Sequence, residues 1–188
     1  MHSVEAINYV LALGTLVIQV VGAGLLVVYF FQKKYPDLSD IATLIERWGM
    51  WKGFALTLAG TALTLLYSEV LGFAPCGICW LQRVFLYPQV VLFALALYKR
   101  DKKLADYSIA LSVVGGFFAL YQHYLQMGGE AVLPCPATGP SLDCASRFLF
   151  EFGYITFPLM SATLFAFLIV LMLFVRKSKG PKSDFGNL

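Results

Sequence analysis

The chain has 188 residues, 59% of them hydrophobic and only 13% charged, with a formal net charge of +3. With a mean hydropathy of +0.74, this composition excludes an ordinary soluble domain and places the chain among integral membrane proteins. The small basic excess is spread over short connections, so it marks topology and implies no nucleic acid partner.

A hydrocarbon core about 30 Å thick needs about 20 mostly apolar helical residues to cross it. Five segments meet that requirement. Residues 7–31 carry no charge, are too long for the apolar region of a secretory signal, follow Glu5 rather than a basic stretch, and lack a small-residue cleavage site. They are expected to be a retained span, an extra N-terminal helix over residues 1–31.

Residues 32–52 form the first connection. In DLSDIATLIERW, Asp40 suits an N-cap and Ile41, Leu44, Ile45 and Trp48 recur at helical spacing. The pattern predicts a short amphipathic helix lying on the cytoplasmic membrane surface, chiefly as a connector.

The second span is expected from residue 53 to about 74, with Glu69 near its end as an interfacial carboxylate or a proton acceptor. The third covers 79–98 and is interrupted only by Arg83. The fourth covers 104–127 after Asp106 at its start, and the fifth, 152–175, is uncharged. Between these last two, the loop 128–151 is rich in Gly and Pro and is expected to be irregular and exposed. The polar tail 176–188 is expected to be disordered.

Orientation follows from the basic residues, which stay on the cytoplasmic side of short loops. Lys33, Lys34, Arg47 and Lys52 lie between spans one and two, and Lys99, Arg100, Lys102 and Lys103 between spans three and four. Arg176, Lys177, Lys179 and Lys182 follow span five, so twelve of the fourteen basic residues share one side. The N-terminus is therefore expected outside and the C-terminus in the cytoplasm. Cys76, Cys79, Cys135 and Cys144 then face the extracytoplasmic side, where disulfides persist.

In PCGICWLQR a C-x-x-C pair stands at the start of the third span. The helix dipole and free amides there stabilise a thiolate suited to exchange. In this placement Cys79 is expected in the first turn as the more amide-facing sulfur, with Cys76 the more exposed one. Arg83 lies four residues on, about 6 Å along the same helix face. It can stabilise a thiolate or bound anion, or extend to the interface as a snorkelling side chain. Cys135 and Cys144 are close enough in sequence for one exposed loop disulfide, the exchangeable kind.

Zinc ligation by the four cysteines, two inert structural disulfides, and a non-enzymatic metal carrier remain alternatives to redox exchange at this level. If electrons leave a dithiol here, no haem, flavin or metal motif is present to receive them, and a lipid-soluble quinone in the bilayer is the natural acceptor. Span four ends in YQHYLQM, where His123 and Gln126 lie three apart on one face. They suit a quinone head-group pocket, or, with Tyr121 and Tyr124, an interfacial aromatic belt.

CGICWLQR together with DCASR, residues 143–147, resembles the DsbB (BdbC) disulfide bond formation proteins. The resemblance runs from about span two to the tail. Together with the five apolar segments, which make an all-α integral membrane protein of five transmembrane helices, it implies that four of them (residues 53–175) form a DsbB-like redox bundle in the bacterial cytoplasmic (inner) membrane. It also implies a quinone cofactor, ubiquinone or menaquinone, and a DsbA-type thioredoxin-fold partner. By this resemblance Cys76 and Cys79 form the quinone-proximal disulfide and Cys79 contacts the quinone. Arg83 polarises a quinone oxygen, with His123 and Gln126 nearby. Cys135 is attacked by the reduced partner, freeing Cys144 to attack Cys76. The vitamin K epoxide reductases, which also set C-x-x-C against a quinone, are the nearest rival within enzymes. The chain departs from the best-known family members in its first span and in the short stretch between Cys135 and Cys144.

Overall fold

The computed structural model describes residues 2–132, 135 and 143–177. Five helices account for nearly all of them: α1 (His2–Phe31), α2 (Pro36–Leu65), α3 (Gly77–Lys99), α4 (Leu104–Gln126) and α5 (Phe157–Lys177), with a π-helical turn, Leu66–Val70, prolonging α2. All five are long and apolar enough to cross a membrane. Among the described residues no β-strand occurs; one isolated bridge joins Glu151 and Ile155. Most of the tail, 178–188, and Pro136 and Pro140 of the outer loop lie outside the described residues.

The helices α2, α3, α4 and α5 pack in a ring, each against the next and α5 back against α2, while α1 leans on the outside against α5 and α2. Lipid is as apolar as leucine, so close backbone approach rather than hydrophobicity must hold such helices together. Two glycines provide it. A Cβ on Gly53 would come within 2.8 Å of the Phe93 ring, and one on Gly115 within 2.6 Å of the Phe165 ring. The largest core cluster fills the end of the bundle where α3 turns into α4, around Phe93, Leu104, Leu168, Leu171 and Met172.

A polar joint pins α3 to α4 inside this apolar surrounding. Fully buried Gln89 accepts from Ser108 Oγ at 2.7 Å, and its Nε2 donates to the Phe85 carbonyl at 2.9 Å. Every polar atom left unpaired in lipid costs several kcal/mol by order of magnitude, so a satisfied pair of this kind fixes helix register.

Two boundaries differ from the sequence expectation. The amphipathic stretch around residues 40–48 is not a separate surface helix capped by Asp40, because α2 starts at Pro36 after an extended Tyr35 and runs unbroken into the second span. Nothing within 36–65 breaks a helix, and Ala42 and Ile45 are buried in the same cluster as Phe174 and Val175 of α5. Packing against the neighbouring helix buries one side of this stretch, while Ile41, Leu44 and Trp48 stay exposed.

The fifth helix begins five residues later than the expected span. Glu151 and Ile155 exchange backbone hydrogen bonds of 3.0 and 2.9 Å, closing a tight turn with Phe152 at φ 52° and Gly153 at φ 78°. Thr156 then caps α5, its Oγ1 accepting from Leu159 N at 3.4 Å.

Candidate active site

The site is built at the start of α3. Pro75 precedes Cys76, which occupies the N-cap with extended backbone (φ −74°, ψ 170°), and its sulfur accepts the Cys79 N–H at 3.3 Å. This is the geometry that Ser or Asp adopts when it caps a helix, here made by a thiol. The two residues are free thiols with sulfurs 2.7 Å apart.

The exposure of the pair reverses the sequence expectation. Cys76 is only 4% exposed and takes the helix-end amide, whereas Cys79 is half-buried. Capping turns Cys76 back into the bundle, where it packs with Ile78, Leu125 and Cys144. Its hydrogen bond to Cys79, and then its burial, push the Cys76 thiol well above the ordinary range, so it keeps its proton.

The second pair reaches the same place. Cys135 and Cys144 are joined by a disulfide. Cys144 is buried in one cluster with Cys76, and Cys79 and Cys135 pack against it. Asp143 shapes the chain at this point, accepting Ala145 N on its side chain at 3.1 Å and Ser146 N on its carbonyl at 2.9 Å. Gln126 holds the segment to α4 by donating to the Ser146 carbonyl at 2.9 Å. Its partner in the structure is therefore the cysteine loop.

Arg83 is buried, 8% exposed, and donates from Nη2 to the Thr64 carbonyl of α2 at 3.0 Å, with its guanidinium 5.1 Å from the centre of the Trp80 ring. It faces the bundle rather than extending away from it. His123 turns toward α5, where Nδ1 lies 2.9 Å from Thr156 Oγ1. Glu69 is exposed and accepts from the neighbouring Ser68 hydroxyl at 2.9 Å. Among the described residues no three His, Cys, Asp or Glu side chains gather as a metal site would require.

The residue in closest contact with both thiols, Gln122, escaped sequence reasoning. Its Nε2 lies 3.0 Å from Cys76 Sγ and 3.2 Å from Cys79 Sγ, while its Oε1 accepts from Gln82 Nε2 at 2.6 Å. A signal was present: Gln122 precedes Gln126 by four residues and Gln82 follows Cys79 by three, so each shares a helix face with a residue of the site.

Fold and site together define a membrane-embedded helical bundle that carries a dithiol and a disulfide in one buried cluster. Comparison with known proteins agrees with that class. The family model described as disulfide bond formation protein DsbB matches residues 46–175. The chain is 36% identical over 130 residues to the probable disulfide formation protein of Metapseudomonas resinovorans, covering 67% of this chain and 88% of that protein. It is 36% identical over 128 residues to the SPbeta prophage-derived disulfide bond formation protein B of Bacillus subtilis, covering 67% and 85%. Disulfide bond formation protein C of Bacillus subtilis is 28% identical over 138 residues, covering 72% and 95%. This chain belongs to the DsbB family of disulfide bond formation proteins. No solved structure matches it. Helix α1 precedes the region matched by the family model.

Proposed function

We propose that the chain is a thiol:quinone oxidoreductase that reoxidises an extracytoplasmic thioredoxin-fold protein of the DsbA type. The observation that carries this reading is the single cluster holding Cys76, Cys79, Cys135 and Cys144, because disulfide exchange needs a thiolate in contact with a disulfide sulfur. The bias of basic residues supports a topology with the cysteines outside and the C-terminus in the cytoplasm, and the family supports a place in a bacterial inner membrane.

In the relay, a partner thiolate attacks Cys135 and breaks the Cys135–Cys144 bond, leaving a mixed disulfide and a Cys144 thiolate. That thiolate attacks Cys76 of a Cys76–Cys79 disulfide and releases the Cys79 thiolate. The partner's second thiol resolves the mixed disulfide, and Cys135 then closes on Cys144, displacing Cys76. Two electrons have moved from the partner to the C-x-x-C pair.

Ubiquinone or menaquinone, when bound, supplies a two-electron acceptor. The residues present fit such a group: Arg83 makes one side-chain hydrogen bond among the described residues, which leaves N–H donors for a carbonyl oxygen, and Cys79 is the less buried thiol. Arg83 would hold the head group, whereas the His123 ring is engaged with Thr156. Gln126 serves the site by positioning the Cys144 segment.

The decisive experiment mixes purified protein with a reduced thioredoxin-fold partner and either quinone. Catalytic quinone reduction that disappears in Cys79→Ser is the expected result. Turnover persisting in that variant would sink the reading.

A further inference from the structure

Gln122 is 2% exposed, and each polar group of its carboxamide is engaged. Its oxygen accepts from Gln82, itself buried, at 2.6 Å and lies farther, 3.7 Å, from Cys79 Sγ, and the Gln82 bond turns the NH2 group toward the sulfurs at 3.0 and 3.2 Å. The Cys79 N–H adds a further donor to Cys76 at 3.3 Å. Donors converge on the sulfurs from α4 and from the helix end, with Gln82 as the brace. A disulfide sulfur is a weak acceptor with no charge, whereas a thiolate gains strongly from N–H donors in an apolar setting.

We infer that Gln122 is the positioning residue of the dithiol: braced by Gln82, its carboxamide directs its N–H groups at Cys76 and Cys79 and favours the reduced pair over the disulfide. This rests on reading Cys76 and Cys79 as a redox pair. When a dithiol such as dithiothreitol reduces their disulfide, two electrons break the S–S bond and the reagent closes into its own disulfide. The reagent's two protons pass to the two sulfurs, and any proton that leaves for solvent leaves a thiolate facing the Gln122 N–H groups. Gln122 acts on that product and hardly on the starting disulfide, so it makes the Cys76–Cys79 bond a stronger oxidant.

The test equilibrates the full-length protein in detergent with mixtures of reduced and oxidised dithiothreitol, then reads the state of Cys76 and Cys79 by differential alkylation and peptide mass spectrometry. Gln122→Leu is expected to shift the equilibrium toward the disulfide by about tenfold or more, which is about 30 mV for a two-electron couple. Gln82→Leu, which frees the carboxamide to rotate without touching a sulfur, is expected to shift it the same way by about threefold. Circular dichroism confirms that each variant retains its helices. An equilibrium within twofold of the wild type in Gln122→Leu overturns the inference. If that variant does not fold, Gln82→Leu decides alone, and no shift there overturns it. Neither quinone nor partner enters the measurement, so a wild-type protein without quinone turnover would defeat the proposed function and leave this comparison intact.

Discussion

Arg83 and Thr64 join α3 to α2 through a hydrogen bond of 3.0 Å from the guanidinium to a main-chain carbonyl, one turn beyond the C-x-x-C pair. Thr64 itself is tied to α3 a second time, its hydroxyl lying 3.0 Å from the Tyr87 hydroxyl. The cation is thus held at a fixed height below Cys79.

Replacing Arg83 by Lys keeps the charge but loses the planar fork that can bond Thr64 and a quinone oxygen together. The expected outcome is a rise of about tenfold in the KM for quinone, the size of one hydrogen bond to a charged group. Reduction of the Cys135–Cys144 disulfide by a thiol partner should be unchanged. Steady-state kinetics with quinone varied, beside a single-turnover thiol assay, separates the two.

Gln126→Ala removes the hydrogen bond that secures the Ser146 carbonyl. One such bond contributes about 1 kcal/mol net, so the segment carrying Cys144 should loosen. Rapid-quench alkylation is expected to show electron transfer between the two cysteine pairs slowed by about fivefold, with KM for quinone little altered. A larger effect on quinone than on transfer between the pairs would instead place Gln126 at the head group.

Thr156→Val deletes both the cap of α5 and the partner of His123. Loss of a threonine cap costs about 1 kcal/mol, which for a chain of this size lowers the thermal midpoint by about 2–4 °C. Thermal unfolding in detergent followed by circular dichroism checks it.

Cys76 is buried and its thiol is pushed above the usual range, so it stays protonated at neutral and mildly alkaline pH. The thiolate is the reactive form. In reduced protein treated with iodoacetamide at pH values near 7 and 8.5, mass spectrometry should therefore find Cys79 modified and Cys76 spared. Preferential modification of Cys76 would contradict both its burial and its protonation.

Single cysteines placed at Asp101, in the turn between α3 and α4, and at Phe150, in the segment before α5, should differ in access to a membrane-impermeant maleimide added to intact cells. Phe150→Cys is expected to react and Asp101→Cys to react only after lysis. The opposite pattern would invert the topology.

Much of the architecture is legible in the chain because lipid imposes one coarse rule, a long apolar helix for each crossing, and the five helices follow it. Periodicity could not reveal that α2 continues through residues 40–48, since Ala42 and Ile45 are buried only by the end of α5. Nor could it foresee the late start of α5, where Phe152 and Gly153 in left-handed conformation close a turn inside an uncharged run.

Within the site, local spacing places Cys76, Cys79 and Arg83 together on α3, because residues three and four apart share a helix face. Spacing says nothing about which residue of another helix meets that face. Gln122 lies 43 residues from Cys79 in the chain, and its neighbour His123 points to Thr156 instead.

By itself, then, the sequence determined the membrane class, the five apolar helices and the local thiol motif, each a consequence of hydropathy or short-range helical geometry. Only the tertiary structure decided which sulfur is buried, which carboxamide faces both thiols, and that the second cysteine pair packs onto the first. Those are contacts between elements distant in the chain, and they depend on how α3 and α4 are rotated against each other, which packing sets.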